Sequence, residues 1–186
     1  QVWQECDRVL CPGGRIAINV ANTRVLCPGG RIAINVANTY RQPYFPLHSA
    51  IIKQMQALGF LMRGEIIWDK GATAGVSTAW GSFARASNPV LRDVHEYVLV
   101  FSKQQMKLES WPAEHHSPVT SGITNQQFVD WTKSIWRLEA ESRLTGKDGK
   151  RYNHPAPFPV ELPRRLMLLY TNRGDVVLDP FMGSGS

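Results

Sequence analysis

Cysteine is scarce in this 186-residue sequence, and its few cysteines do not form a recognisable pattern. Cys6, Cys11 and Cys27 have no zinc-ligand spacing and no C-x-x-C pair, so a disulfide scaffold and a zinc module lack support. Unpaired cysteines are typical of a reducing compartment, which favours a cytoplasmic setting.

Other signatures are missing as well. No stretch approaches the roughly 18 apolar residues of a membrane span, and no basic-then-apolar signal opens the sequence, so we expect no membrane partner. Without a G-x-S-x-G or a Walker loop, hydrolase and NTPase interpretations lack support. His115 and His116 follow Glu114, but adjacent histidines in a strand point opposite ways and no further ligand completes a site. We therefore expect no metal.

What is present fits one globular domain with a basic balance. The hydrophobic fraction is 43%, which suffices for a core, and we expect a single, partial domain over residues 1–186. Residues 69–93 and 104–153 are loop-rich. The net charge of +6 gives mild support to a polyanionic partner such as nucleic acid. The sequence leaves a homodimer open.

Residues 8–23 and 24–39 are the same sixteen letters, RVLCPGGRIAINVANT, in tandem. Two short copies cannot stack into a solenoid. Perfect identity favours a recent duplication or a sequence-assembly artefact. Each copy predicts a turn followed by a strand, and parallel pairing of the two would need a crossover of about a dozen residues. We expect the second copy, residues 31–36, to hold the sheet position.

Periodicity and turn residues predict the remaining elements. Apolar residues at helical spacing before Gly59 predict a helix over 46–58. Further predicted helices span 125–136 and 160–171, and the predicted strands span 60–68, 97–102 and 176–178. The intervening stretch 69–93 is too long for an idle loop in a compact domain, so a functional or mobile role is expected.

The end of the sequence is its most informative part. The apolar run 176–178 leads into Asp179-Pro180-Phe181-Met182-Gly183-Ser184-Gly185-Ser186. Two glycines one residue apart after a strand allow a ligand to approach the backbone closely, and ligands of open α/β sheets lie at the carboxyl ends of strands. Alone, this pattern is more often an ordinary tight turn than a cofactor loop.

The segment His154-Pro155-Ala156-Pro157-Phe158-Pro159 precedes this tail. Together the two resemble motifs of the DNA amino-methyltransferases, which methylate N6 of adenine or N4 of cytosine. P-G-G-R-I, I-I-W-x-K and H-E-Y-V-L-V-F-S-K precede them in an order similar to the permuted β class. Ser186 stands where that family usually has Thr.

The resemblance implies a Rossmann-like α/β methyltransferase fold, mostly parallel with one antiparallel hairpin. It implies S-adenosyl-L-methionine (AdoMet) as the cofactor. The residues implied to bind it are His154, Pro155, Phe158, Asp179, Pro180, Phe181, Gly183 and Gly185. Alternatively, Phe158 is an aromatic residue of the hydrophobic core and does not contact the cofactor.

Double-stranded DNA is the implied partner, with one base flipped out of the helix and held by stacking and hydrogen bonds. The residues implied to contact the base or the DNA are Trp68, Lys70, Arg85, Ser87, Asn88 and Arg92. Alternatively, Trp68 packs on the sheet without contacting a base. Each arginine could likewise be an ordinary solvated side chain without a DNA contact.

One departure from the family concerns catalysis. The motif (D/N/S)-P-P-(Y/F) is absent, and Gln42-Pro43-Tyr44 matches it only partly, so no catalytic residue is assigned. We expect a sequence truncated at both ends that does not methylate DNA by itself. A non-catalytic DNA-binding fragment, or a methyltransferase acting on RNA or a small molecule, are the alternatives. Adenine versus cytosine stays open, because the first residue of that motif biases the choice.

Overall fold

The computed structural model describes residues 17–20, 28–38, 43–71, 81–107, 122–140, 158–171, 175 and 177–179. Five strands and three helices lie within these ranges. The strands are β1 (Ala17–Val20), β2 (Arg31–Val36), β3 (Phe60–Asp69), β4 (His95–Lys103) and β5 (Ile135–Arg137). The helices are α1 (Leu47–Ala57), α2 (Asn125–Trp131) and α3 (Glu161–Tyr170).

The strands form one mixed sheet in the order β1-β2-β4-β3-β5. β4 pairs antiparallel with β2 on one side and with β3 on the other, and β5 pairs parallel with β3. β2, β3 and β5 therefore run in the same direction, and the predicted antiparallel hairpin is β3–β4. Three of the four described strand pairs are antiparallel, so the described sheet is mixed and not mostly parallel as predicted. The carboxyl ends of β2, β3 and β5 lie together at one edge of the sheet, where β4 begins. We call it the carboxyl edge.

The two copies of the repeat pair with each other. β1 lies antiparallel to β2 in a register that places Ile18 opposite Ile34, its own counterpart in the second copy. Antiparallel neighbours need no long crossover, which removes the difficulty that parallel pairing would have raised. The second copy holds the position beside β4 and is buried from Ile32 to Val36, as predicted.

The helix predicted over 46–58 is confirmed as α1. Leu47, Ile51 and Met55 recur at helical spacing and are the buried residues of this helix. Gly59 follows the last turn with φ +83°, a left-handed conformation that costs glycine little, and its N–H donates to the carbonyl of Gln56 at 2.9 Å. The chain can therefore turn directly into β3.

β4 lies at the centre of the sheet, and both of its faces are covered. Alternate side chains of a strand point to opposite faces, so Leu99 and Phe101 face the side of α1 while Val98 and Val100 face the side of α3. All four are at most 1% exposed. This double burial explains the unbroken apolar run in the sequence of this strand.

The helix predicted over 125–136 is wrong in its second half. α2 ends at Trp131, and residues Ile135–Arg137 form β5 alongside the end of β3. Trp136 is 1% exposed and its indole N–H donates to the carbonyl of Trp131 at 3.0 Å. Pairing with β3 and burial of this large side chain outweigh the helical pattern read from the sequence.

The helix predicted over 160–171 is confirmed as α3, but the buried strand predicted over 176–178 is not. Val177 and Leu178 are 39% and 44% exposed and have no strand conformation. A strand is stabilised by a hydrogen-bonded neighbour, and no described strand pairs with these residues. Val176 lies outside the described residues.

Candidate functional site

Polar side chains gather at the edge where β2, β3 and β5 end. Glu96 at the start of β4 is 2% exposed, and one carboxylate oxygen accepts a hydrogen bond from Lys70 Nζ at 2.5 Å. Its other oxygen accepts from Asn35 Nδ2 at 2.7 Å. These three residues, the Lys70–Glu96–Asn35 chain, cross the ends of three adjacent strands. Both oxygens of the buried carboxylate are thus hydrogen-bonded, as a buried charge requires.

Asn35 also lines a small hollow between the sheet and α3. The hollow has a volume of about 20 Å³, which accommodates about one water-sized group. Its lining residues are Ala33, Asn35, Phe158, Leu162, Pro163, Leu166 and Asp179. Two residues implied to bind AdoMet, Phe158 and Asp179, are therefore brought to one place from segments about twenty residues apart in sequence.

The other implied cofactor residues lie outside the described residues. These are His154, Pro155, Pro180, Phe181, Gly183 and Gly185. The assignment of these six residues stays a prediction.

Trp68 is not available as a stacking surface. It is 0% exposed, packs in the cluster under α3, and donates its indole N–H to the carbonyl of Leu138 at 2.7 Å. Both ring faces of a fully buried indole are covered by protein, so the structure favours the alternative of a core residue. The prediction of base contact by Trp68 is corrected on this ground.

Lys70 is likewise held within the protein. Its ammonium pairs with Glu96 and lies 5.1 Å from the centroid of the Trp68 ring. The side chain is 19% exposed. A lysine that neutralises a buried carboxylate cannot leave for a phosphate without uncovering that charge. This ion pair disfavours the predicted DNA contact of Lys70, which stays a prediction.

The remaining implied DNA contacts share one exposed segment, residues 81–94, which we call the arginine loop. Arg85, Ser87, Asn88 and Arg92 are all exposed there. Phe83 and Leu91, which the sequence interpretation did not assign, are 74% and 87% exposed in the same loop.

Ser82 organises the arginine loop. Its hydroxyl donates to the carbonyl of Arg85 at 2.7 Å and accepts from the backbone N–H of Asn88 at 2.8 Å. Its own N–H donates to the carbonyl of Asn88 at 2.8 Å. The loop therefore presents its arginine and polar side chains on a backbone that is internally hydrogen-bonded.

A second cluster at the same edge lies on the α1 side of the sheet, and sequence reasoning missed it. The ring of His48 stacks on that of Tyr97 with centroids 4.0 Å apart. Asn38 accepts from the backbone N–H of His48 at 3.1 Å and donates to the hydroxyl of Tyr44 at 2.7 Å. These residues come from separate segments at irregular spacing, so no sequence motif could have revealed them.

The pKa values of two tyrosines in this cluster, Tyr44 and Tyr97, are raised above the ordinary value. Burial, followed by the proximity of Asp93, raises the pKa of Tyr44, although Asn38 acts in the opposite sense. Burial also raises the pKa of Tyr97, with Glu65 and Asp93 acting in the same sense. Both phenols therefore keep their protons at neutral pH and can act as hydrogen-bond donors.

Asp69 ends β3 beside the polar chain. The backbone N–H of Gly71 donates to its carboxylate at 2.8 Å, and Arg137 Nε donates to it at 3.1 Å. These two contacts, in that order, lower the pKa of Asp69. The ion pair with Arg137 also ties β3 to β5 at the sheet edge.

Within the described part of the chain, no group of three or more His, Cys, Asp or Glu side chains could hold a metal ion. Of the described helices, none is long and apolar enough to cross a bilayer.

Comparison with known proteins bears on the identity of this fold. Residues 1–186 match a family whose description is DNA methylase, the N6 and N4 methyltransferases. The chain belongs to this DNA methylase family. The sequence resemblance to amino-methyltransferases is thereby confirmed.

Two curated DNA methylase relatives match over the full chain. It is 31% identical to the type II methyltransferase M.MjaI of Methanocaldococcus jannaschii, covering 100% of this chain and 55% of the relative. It is 30% identical to M.MthZI of Methanothermobacter thermautotrophicus, covering 100% and 49%. The chain thus spans about half the length of the curated relatives that it matches.

Solved DNA methylase structures share the fold. TTHA0409 of Thermus thermophilus, described as a DNA modification methylase and complexed with S-adenosyl-L-methionine, has a TM-score of 0.59 and 28% identity. That alignment covers 87% of this chain and 57% of the other. The cytosine-N4-specific PvuII DNA methyltransferase has a TM-score of 0.54 at 16% identity, covering 81% and 51%, which supports the fold alone. The predicted α/β methyltransferase fold is confirmed.

Proposed function

We propose that this protein is a site-specific DNA methyltransferase that transfers the methyl group of AdoMet to the exocyclic amine of adenine or cytosine. The observation that carries the proposal is the convergence of Phe158 and Asp179, from the two segments implied to bind the cofactor, on one hollow of a DNA methylase fold. In this proposal the cofactor and DNA functions belong to a single domain over residues 1–186.

The described residues fit one part of a cofactor site. Phe158 supplies an apolar wall and Asp179 a carboxylate that can accept hydrogen bonds from the cofactor. We assign the rest of the site to His154, Pro155, Pro180, Phe181, Gly183 and Gly185. AdoMet, when bound, supplies an electrophilic methyl group on a sulfonium. Holding the base nitrogen against that methyl group would provide much of the rate acceleration.

The arginine loop is the proposed DNA contact. Arg85 and Arg92 carry positive charge into solvent, and Ser87 and Asn88 offer hydrogen-bonding groups beside them. Arginine contacts to phosphate position a protein on DNA, while amide and hydroxyl groups can contact base edges. The net charge of +6 supports attraction to a polyanion.

Cofactor binding is tested by calorimetric titration of the 186-residue chain with AdoMet. We expect saturable binding that is weakened in Asp179→Ala. A chain that binds DNA but shows no saturable heat with AdoMet would instead be a non-catalytic DNA-binding fragment.

DNA binding is tested by measuring affinity for duplex DNA over a range of salt concentrations. The double variant Arg85→Ala/Arg92→Ala removes two phosphate contacts. The negative slope of log K against log salt should therefore become shallower by about 1.8, since each contact contributes ~0.9. Lys53→Ala, an exposed lysine on α1, is the matched control and should leave the slope nearly unchanged. Tighter competition by RNA than by DNA would favour an RNA substrate.

Catalysis requires a separate assay. Since the sequence lacks (D/N/S)-P-P-(Y/F), we propose that these 186 residues alone do not turn over. The measurement is transfer of a radiolabelled methyl group to DNA. Turnover above a no-enzyme control would overturn this part of the proposal. Digestion of the labelled DNA to nucleosides would then show whether adenine or cytosine carries the methyl group.

A further inference from the structure

Two contacts tie the carboxyl end of the arginine loop to the rest of the protein. The carbonyl of Val94 accepts from the backbone N–H of Lys70 at 3.1 Å. The carboxylate of Asp93 accepts from the hydroxyl of Tyr44, also at 3.1 Å. The hydrogen bonds of Ser82 lie within the loop and fix its shape. The orientation of that shape on the protein depends on the contacts at its end.

The hydrogen bond of Asp93 fixes the direction of a longer chain of side chains. A carboxylate only accepts, so the single O–H of Tyr44 is directed at Asp93. The Tyr44 oxygen must then accept at its other contact, which makes the Asn38 atom at 2.7 Å the NH2 group. The amide oxygen of Asn38 consequently faces His48, where it accepts from the backbone N–H at 3.1 Å. We call Asp93, Tyr44, Asn38 and His48 the anchor chain.

The same amide oxygen fixes the tautomer of His48. The imidazole Nδ1 lies 2.8 Å from Asn38 Oδ1, which has no proton to donate, so Nδ1 carries the proton. Every side-chain donor of the anchor chain therefore points the same way, from the imidazole through the amide and the phenol to Asp93. Hydrogen bonds that follow one another in one direction polarise and strengthen each other.

The first half of the anchor chain belongs to core-packed secondary structure. His48 is the second residue of α1, next to Leu47, which is 1% exposed. Its backbone N–H is one of the helix donors without an acceptor inside the helix, so Asn38 also caps α1. The other end of the chain, Asp93, is exposed and adjoins Arg92 in sequence. The anchor chain thus connects the body of the protein to a proposed DNA-contacting residue.

We propose that the anchor chain orients the arginine loop for DNA, with Asn38 and Tyr44 as positioning residues. They hold the Asp93 end of the loop against the first turn of α1 and thereby restrict where Arg92 lies. A loop that is held in place before binding loses less conformational entropy on DNA and binds more tightly. The inference rests on the proposed DNA contact of the arginine loop and extends it to residues that no motif assigned.

The variant Tyr44→Phe removes the hydroxyl that joins the two halves of the anchor chain. Backbone 15N order parameters of residues 91–94 in the free protein should fall from about 0.85 towards about 0.6. DNA affinity should weaken about 3- to 10-fold, the effect of one hydrogen bond. Tyr170→Phe is the matched control, because Arg63 contacts the ring of Tyr170 and Arg31 its carbonyl, and neither contact needs the hydroxyl. Unchanged order parameters in Tyr44→Phe would overturn the proposal.

The variant Asn38→Asp separates positioning from helix capping. A carboxylate caps the backbone N–H of His48 as well as an amide does, so a purely capping Asn38 would tolerate the change. It cannot donate to Tyr44, so the anchor chain is broken. We expect an unfolding free energy close to that of wild type and order parameters of 91–94 as low as in Tyr44→Phe. Wild-type order parameters would show that Asn38 only caps the helix.

The 15N chemical shifts of the His48 ring test the direction of the anchor chain. In the neutral ring we expect the proton on Nδ1 and an unprotonated Nε2. A proton on Nε2 would require a donor at the Asn38 atom that faces the ring, and it would overturn the direction derived from Asp93.

A double-mutant cycle shows whether the anchor chain acts through the arginine loop. Tyr44→Phe should weaken DNA binding in the unmodified chain and add nothing in Arg85→Ala/Arg92→Ala. Additive losses would show that Tyr44 contacts DNA itself, which would overturn its positioning role. If Arg85→Ala/Arg92→Ala left DNA affinity unchanged, the proposed DNA contact itself would be wrong. The order parameters of the free protein distinguish that outcome from a loop that the anchor chain does not hold.

Discussion

Trp68 and Leu138 are joined by a hydrogen bond of 2.7 Å between the indole N–H of one and the carbonyl oxygen of the other. The bond connects β3 with the segment that follows β5, seventy residues later in the chain. The motif that resembled a base-stacking position is therefore part of the packing that holds the carboxyl edge together.

Replacing Trp68 with phenylalanine should weaken folding but not DNA binding. The variant leaves the Leu138 carbonyl without its donor, which costs about 1–3 kcal/mol in the free energy of unfolding. Urea unfolding measures this loss. Phe83→Leu, at an exposed ring in the arginine loop, should stay within about 0.5 kcal/mol. A selective loss of DNA affinity in Trp68→Phe at unchanged stability would contradict the core assignment.

Replacing Lys70 with methionine should destabilise the protein because it removes the ammonium group that pairs with the buried Glu96 carboxylate. Glu96 is 2% exposed, and loss of a buried partner costs about 3 kcal/mol. The comparison is Lys133→Met, which removes an exposed pair with Asp130 and should cost less than about 1 kcal/mol. Equal unfolding free energies for the two variants would show that the buried pair contributes no more than a surface pair.

Asp69 should contribute to loss of stability in acid. Gly71 and Arg137 lower the pKa of its carboxyl in the folded protein below the ordinary value of 3.8. Folding is therefore stabilised above that ordinary value, and the stabilisation is lost as pH falls through the folded-state pKa. The melting temperatures of wild type and Asp69→Asn should differ at neutral pH and converge in acid. A constant difference would exclude this linkage.

Replacing Gly81 with alanine should disrupt the arginine loop. Gly81 has φ +66°, and a Cβ there would collide with the carbonyl oxygen of Asn88. We expect faster proteolysis within residues 81–94 and weaker DNA binding. Gly64→Ala in β3 is the control, since nothing lies within 4 Å of its Cβ position. Unchanged cleavage in Gly81→Ala would show that the loop tolerates rearrangement.

Local signals predicted much of the fold. The apolar spacing of α1 with its glycine terminator, and the run of apolar residues in β4, depend on contacts close in sequence and were recognisable from the order of residues alone. The helix prediction failed at Ile135 and Trp136, where pairing with β3 decides the conformation. β3 is distant from these residues in sequence, so its pairing with them produces no periodic pattern that could be recognised in the sequence.

The sequence by itself determined the order of the methylase motifs and the strand character of the repeated segment, because these reside in consecutive residues. Tertiary structure alone decided that Trp68 is buried and that Lys70 forms an ion pair with Glu96. It also decided that Asn35, 61 residues away in sequence, donates a hydrogen bond to the same carboxylate. The physical reason is that a side chain's exposure and hydrogen-bond partners depend on which strands become neighbours. Strand neighbours are selected by burial of the whole sheet, which no short stretch encodes.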